Sequence, residues 1–510
     1  MSQSKTMTIA AMLESTFFSH RQRTVYQEAG KMVEMSEHVS GMEQLLATLQ
    51  SRYSIKPGDR VAVALETNHQ YAMLWHLAML GNFIIVPLNI RLSEAELASI
   101  LSNAEPTLFI AQDSTFALAQ GAVSKSESEV DIKLVEQLLN EGGSQKAVIY
   151  KPGLVADDLV AIMYTGGTTG LPKGVMMSQS GLAETALRLH VQWQLFGPNV
   201  CLYATTSLYH ISGFYVLMGP VLSGGKTILV PGFDIGSLIQ DSKLYGVTHL
   251  VLIPTMIDML ISHPEFDVEY FRSLECIAYG GAPMSEVLLQ RLFGLFPNVA
   301  IQQGYGMTEL LGSVSLLSKH EHLEKSGKLL SCGRPLLGVR IEIRDAKDKE
   351  LSLGEIGEIC ISSTTMMLGY WQNPEMTEET IRNERYYTGD IGYMDSDGYL
   401  FLVDRKKDMI ISGGENIYSL EVERALERCN GVAQVAVFGV PHEKWGEQVH
   451  AVIVPKPGFE LDVEQLKASL GGELATYKHP KSWEIRLEPL PVSGTNKVVK
   501  SLLREAFLKS

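Results

Sequence analysis

Cysteine is scarce in this chain: five residues in 510, at 201, 276, 332, 360 and 429, with no Cys-x-x-Cys pair. An odd and widely spaced set disfavours a disulfide framework or a zinc site, and it implies a reducing compartment, so a cytoplasmic location is expected. Positive charge is short too. There are 43 Lys and Arg against 58 Asp and Glu, a formal net charge of −15, which argues against a nucleic-acid partner. No apolar run approaches the length of a membrane span, and Met1 to Ala11 lacks the apolar core of a signal peptide, so no integral membrane segment is expected. Internal repeats and low-complexity tracts are absent as well. What remains is 45% apolar and 20% charged, a globular composition. Its length exceeds what one core usually supports, so two or more domains are expected.

Hydrophobic period then sets the class. Arg60 to Glu66 alternates around Val61, Val63 and Leu65 as a strand does, a helical pattern runs through Tyr71 and Leu74, and Phe83 to Leu88 is strand-like. Ser93 with Glu96 reads as a capping box before the helical face Leu97, Ile100 and Leu101, and Thr107 to Ala111 is the next strand. Strand and helix alternate, which predicts an α/β fold with parallel strands. Asp113 to Lys151 reads as an irregular surface excursion.

The densest chemical signal is Tyr164-Thr165-Gly166-Gly167-Thr168-Thr169-Gly170-Leu171-Pro172-Lys173-Gly174-Val175, entered from the apolar run Leu159 to Tyr164. Glycines let successive N–H groups converge on an anion, while hydroxyls and a lysine add donors and charge, so the loop suits a polyphosphate. It is not the usual P-loop, which wants Gly-Lys-Ser/Thr opening a helix. A second signal is Gln302-Gln303-Gly304-Tyr305-Gly306-Met307-Thr308-Glu309. There a tyrosine can stack on a base, a threonine can bond a phosphate and a carboxylate can hold Mg²⁺.

The phosphate loop, together with Gly280-Gly281-Ala282-Pro283, Gly304-Tyr305-Gly306-Met307-Thr308-Glu309 and Tyr387-Thr388-Gly389-Asp390, resembles the adenylate-forming superfamily of acyl-CoA synthetases, peptide-synthetase adenylation domains and beetle luciferases. The motifs occur in the family's order along nearly the whole chain. Two positions depart from its pattern: Gly166 stands where serine is usual, and Asn496 where glycine is usual. The resemblance implies a large N-terminal α/β domain of several subdomains, residues 1–404, and a small mobile C-terminal α+β lid, residues 405–510.

It also implies roles. ATP would be bound by Thr165, Gly166, Gly167, Thr168, Thr169, Gly170 and Lys173 on the phosphates, by Gly281, Ala282, Gln303, Gly304 and Tyr305 around adenine, by Thr308 at the α-phosphate, and by Asp390 and Arg405 on the ribose. Glu309 would hold Mg²⁺, Lys407 would be the hinge, and Gly413, Gly414 and Asn416 would line the coenzyme A tunnel. Lys497 would be the catalytic lysine, with Thr308, Glu309 and His210 beside it. Tyr209, His210, Phe214, Tyr279, Leu310 and Leu311 are the acyl-pocket candidates, apolar or aromatic and compatible with fatty or aryl acids. No aspartate lies between Tyr203 and Leu217 to pair with a substrate ammonium, which disfavours an amino acid. The implied activity is an AMP-forming acyl-CoA synthetase using ATP, Mg²⁺ and coenzyme A. The alternatives are an enzyme that loads a carrier protein and a nucleotide-binding protein without catalysis; a homodimer is one possible assembly.

Overall fold

The computed structural model describes residues 7–141, 147–166, 172–193, 197–323, 327–471, 473–492 and 498–509. The expected parallel strands form the heart of two sheets. One has six strands in the order Ile132–Leu134, Leu108–Ala111, Arg60–Ala64, Ile84–Pro87, Leu159–Thr165 and Lys173–Ser178. Its neighbours run parallel until the last pair, where Lys173–Ser178 turns back antiparallel on Leu159–Thr165. The other has nine strands, with Cys276–Gly280 between His249–Leu252 and Ala300–Met307 in parallel register. Parallel strands covered on both faces need continuous apolar runs, and Leu108–Ala111 and Ile84–Pro87 are buried at every position.

The capping box holds: the Glu96 N–H donates to Ser93 Oγ at 3.3 Å and the Ser93 N–H to Glu96 Oε2 at 2.8 Å. The excursion expected after Asp113 does not. That stretch forms the helix Asp113–Lys125, the strand Ile132–Leu134 and the helix Val135–Asn140. The first helix buries only Thr115, Ala119 and Ala122, small side chains that leave almost no apolar period to read.

Beyond residue 335 the strands pair antiparallel, except that Ser482–Ile485 runs parallel to Gly446–Pro455. Five strands centred on Arg385–Met394 carry Asp390 and Arg405, and five more, from Ile410–Ser412 to Ser482–Ile485, form a small C-terminal unit with its own cores around Ile417, Leu426 and Ile453 and around Phe438 and Leu503. Ser419 is the first residue of the helix Ser419–Glu427. Its N–H and hydroxyl both donate to buried Asp404, the hydroxyl at 3.1 Å, so that the hydroxyl serves the junction between the last strand of the large unit and the helix Ser419–Glu427. No described helix is long and apolar enough to cross a membrane.

Candidate active site

The site is assembled at strand ends. Leu159–Thr165 and Lys173–Ser178 form a hairpin in which Tyr164 faces Gly174 and Thr165 faces Lys173. Gly166 follows the first strand; Gly167, Thr168, Thr169 and Gly170 lie outside the described residues. Gly174 is obligatory, since a Cβ there would come within 2.7 Å of Ile162 and 3.2 Å of Trp371. That close approach brings the segment 367–371 alongside: the Trp371 N–H donates to the Gly174 carbonyl at 2.7 Å and the Met176 N–H to that of Gly369 at 3.1 Å.

Tyr370 thereby sits between the phosphate hairpin and the Thr308-Glu309 turn. Its ring centroid is 5.3 Å from the Lys173 ammonium, and its hydroxyl donates to Glu309 Oε1 at 3.0 Å. Burial and the Glu309 charge push its phenol up, so it stays a donor. The Met367 N–H also holds the Glu309 carbonyl at 2.8 Å. Sequence reasoning missed Tyr370. The available signal was an aromatic pair, Tyr370-Trp371, directly after a glycine.

The strand just before that turn is equally fixed. The buried Tyr305 hydroxyl donates to Asp390 Oδ2 at 2.7 Å, and Arg405 Nε lies 3.5 Å from Asp390 Oδ1. Asp390 and Arg405 are register partners on adjacent strands. The Asp390 N–H is held by Thr388 Oγ1 at 3.0 Å, and Gly389, at φ +69°, supplies the left-handed turn before it. Tyr305 thus orients the carboxylate, with a ring largely withdrawn into the core, where stacking on a base had been expected.

Several other expected residues lie at neighbouring strand and helix ends or in the core between them. Gly281 is exposed and Ala282 half-buried at the C-terminal end of Cys276–Gly280. Gly280 pairs with Gly304, and a Cβ on Gly280 would lie 2.5 Å from the Gly304 carbonyl oxygen. His210 is the residue before the helix Ile211–Ser223, with the Tyr209 ring edge-on at 4.6 Å. Phe214, Leu310 and Leu311 are buried in one core cluster.

Two candidates fall elsewhere. Tyr279 points from the opposite face of its strand to Ala278, into the core of Leu250, Ile277 and Leu289, where its hydroxyl meets His322 Nε2 at 3.0 Å. It is therefore separated from the other acyl-pocket candidates. Gln303 follows it: its carboxamide is buried and accepts from the Tyr279 hydroxyl at 3.4 Å. A strand's period of two sorts these residues, and the motif alone did not reveal which face was which.

Arg405, which ends the strand Leu400–Arg405, and Lys407 beyond it are exposed. Gly413 and Gly414, at φ +63° and +88°, make the two-residue turn between Ile410–Ser412 and Glu415–Ile417, and Asn416 is exposed beside them. Paired positive φ values are those of a type I′ hairpin turn. Lys497 lies outside the described residues.

A single carboxylate beside a phosphate loop suits Mg²⁺, which keeps waters and phosphate oxygens as its other ligands; among the described residues no cluster of three metal-ligating side chains exists. Glu309, half-buried with one oxygen held by Tyr370, fits that use.

Comparison with known proteins gives the family. A model of the AMP-binding enzyme family matches residues 19–371, and one of the AMP-binding enzyme C-terminal domain matches residues 421–497. A feruloyl-CoA synthase from Amycolatopsis sp is 35% identical over 459 residues, 89% of this chain and 90% of that protein. A fatty acid–[acyl-carrier-protein] ligase, ScoC, from Streptomyces coeruleorubidus is 32% identical over 462 residues, 89% and 88%. The o-succinylbenzoate coenzyme A synthetase of Bacillus subtilis, solved with ATP and magnesium ion, superposes with a TM-score of 0.85 at 26% identity, covering 98% of this chain and 99% of that one.

Proposed function

The chain belongs to the AMP-binding enzyme family, and from that premise we infer how its own residues carry out the reaction of an ATP-dependent, AMP-forming acid–thiol ligase. The observation that carries the assignment is that the eight-residue strand Ala300–Met307 and its turn are gripped at two points, by Asp390 through Tyr305 and by Tyr370 through Glu309. One short segment thereby fixes a ribose acceptor and a metal-binding carboxylate against each other.

In the first half-reaction a carboxylate oxygen attacks the α-phosphorus of ATP, the bond to the bridging oxygen breaks, and acyl-AMP and pyrophosphate form. Asp390 accepts the ribose hydroxyls, with Arg405 beside it. Thr308 and Lys173 bond the phosphates, and Lys497 reaches the α-phosphate, where charge develops. Mg²⁺, when bound at Glu309, shields the triphosphate charge. In the second, the coenzyme A sulfur attacks the acyl carbonyl, AMP leaves and the thiol proton is released. Gly413 and Gly414 line the approach. Arg405 to Lys407 is the pivot between a domain ending at Asp404 and a lid beginning at Arg405, so that one pocket serves both steps. We place the enzyme in the cytoplasm, since all five cysteines are free thiols.

The test is pyrophosphate release that depends on an added carboxylic acid, followed by AMP formation that depends on coenzyme A. ScoC gives weight to a second reading, transfer to a carrier protein. Acid-dependent pyrophosphate release without coenzyme A-dependent AMP formation would favour it, and ATP binding without either would leave a non-catalytic protein.

A further inference from the structure

The acyl pocket of the reading just given has an inner end. From Thr308 back along the strand, Gly306 and Gly304 present no side chain, and Gly280 lies alongside Gly304. Bare backbone alone would mean little. At Gly304, however, a Cβ would lie 2.5 Å from Trp193 Cζ2 and 2.6 Å from Ser313 Oγ, so the indole rests directly over that residue. Trp193 is only 4% exposed, its carbonyl is held by the Gln302 carboxamide at 2.8 Å, and its Nε1–H finds no acceptor among the described residues. A buried indole donor ordinarily finds a partner.

Tyr215 closes the other side. It lies one turn into the helix that His210 precedes, and its ring centroid is 6.4 Å from that of Trp193. Its hydroxyl donates to Ser313 Oγ at 3.1 Å and accepts from the Ser313 N–H at 2.7 Å, and Ser313 is the register partner of Gly306. Tyr215 therefore has its own partners and is fixed in place. Trp193 has a donor left over.

We propose that Trp193 and Tyr215 form the floor of the acyl pocket, and that the indole N–H selects a compact aromatic acid bearing a hydrogen-bond acceptor at the end remote from its carboxylate. Length supports this. Four residues of strand between Thr308 and Gly304 span about 13 Å. An extended acid of about sixteen carbons needs roughly 19 Å with C–C bonds near 1.5 Å, and would strike the floor. A cinnamate-sized acid would not. A donor left unpaired by the wrong substrate penalises that substrate strongly, whereas a purely apolar floor discriminates weakly.

The inference rests on the acyl-activating reading, and its test separates the two. Acid-dependent pyrophosphate release is measured for para-methoxycinnamate, cinnamate and hexadecanoate with the whole enzyme and with Trp193→Phe and Trp193→Ala. The parent enzyme should prefer them in that order. Trp193→Phe keeps the floor and removes the donor, so kcat/KM for the methoxy acid should fall about tenfold or more towards that for cinnamate, with cinnamate nearly unchanged. Trp193→Ala should raise activity on hexadecanoate. Should Trp193→Ala fail to fold, the Trp193→Phe comparison decides alone. A parent enzyme that prefers hexadecanoate, or a Trp193→Phe variant that lowers both aromatic acids equally, overturns the proposal and leaves the acyl-activating reading standing. No release with any acid would overturn both.

Discussion

The groups assigned to nucleotide binding in the large unit and those contributed by the C-terminal unit differ in how they are held. Asp390 is buried, with Tyr305 on one oxygen and Arg405 near the other, and Glu309 is fixed through Tyr370 and Met367. Lys407, Gly413, Gly414 and Asn416 are all exposed. Preorganised groups serve a step whose charges develop at one fixed place, and exposed groups on a separate core suit a unit that must change position between steps. Of the bonds at the junction, Asp404 to Ser419 ties the strand before the pivot to the small unit's first helix, and Lys500 Nζ to Glu423 Oε1 at 2.7 Å joins two of the small unit's own helices.

Lys497 should break this comparison most sharply. If it acts only when the small unit is turned towards the α-phosphate, Lys497→Ala should lower acid-dependent pyrophosphate release about a hundredfold or more and leave conversion of supplied acyl-AMP and coenzyme A near the parent rate. Equal loss of both half-reactions in a folded variant would contradict the alternation. On the preorganised side, Tyr370→Phe removes the hydroxyl bond to Glu309. A bond to a charged group contributes about 1.5–3 kcal/mol, so adenylation at limiting Mg²⁺ should fall at least about tenfold and recover in part at high Mg²⁺. A loss independent of Mg²⁺ would detach Tyr370 from the metal carboxylate.

The two regions also differed in how much of them could be read beforehand. Thr308, Glu309 and Asp390 lie in contiguous motifs, so neighbouring residues identify one another. Tyr370 gains its meaning only from Glu309, 61 positions away, and no local period carries that pairing. The direction of Tyr279 was hidden for a related reason: an aromatic before two glycines is equally compatible with either face of a strand, and packing against His322 and Leu289 decides. In the C-terminal unit Ser419 likewise takes its role from a carboxylate that precedes it by 15 residues, Asp404. The parallel core was legible from its apolar runs. The antiparallel return that shapes the phosphate hairpin was not, since Gly174 and Trp371 create it from distant segments.

Stability should divide along the same line. In the large unit, His38 Nε2 meets His76 Nδ1 at 2.8 Å and His38 Nδ1 meets His69 Nε2 at 2.9 Å, the first pair fully buried. Burial holds His76 down to about 3 and His38 well below the usual histidine range. Because the unfolded chain binds these protons first, stability is lost as pH falls below about 6.5, by about 1.4 kcal/mol per pH unit for each histidine that stays neutral. Urea unfolding at pH 7, 6 and 5 should show the large unit weakening by about 2 kcal/mol for each such histidine over that range. An unchanged midpoint would mean that the chain of rings accepts protons freely.

A smaller effect is expected at the hairpin tip. Gly414 has open space around it, so Gly414→Leu meets no clash, but at φ +88° a branched side chain should cost about 1–2 kcal/mol of local strain. Gly414→Asn, which tolerates that region better, is the control. Both should spare acyl-AMP formation and slow thioester formation, the leucine variant more. If only the leucine variant is impaired and both half-reactions fall together, the turn is structural and does not line the thiol's path.

The smallest expected effect, and the one that most directly tests whether the junction is a separate element, has the opposite sign in pH. Glu423 is buried, accepts the Val437 N–H at 2.7 Å and pairs with Lys500, while Asp404 is buried among Ser419 and its own chain. Burial raises both carboxyls above their ordinary values, and the Lys500 charge pulls them partly back. A carboxyl whose folded value is raised stabilises fully below its unfolded value and loses that contribution as pH climbs through the folded one, so the window opens near the ordinary carboxylate range and runs upward. The small unit should therefore weaken slightly with rising pH, over an interval in which the histidines make the large unit stronger. Burial remains the larger influence, and the Lys500 charge opposes it, which keeps the expected change small. Glu423→Gln retains an acceptor for Val437 and for Lys500 while removing the titration, and should flatten the pH dependence of the small unit's unfolding without altering pyrophosphate release. A small unit that weakens in acid, or a Glu423→Gln variant with a steeper slope than the parent, would show that the Lys500 ion pair outweighs burial at this junction.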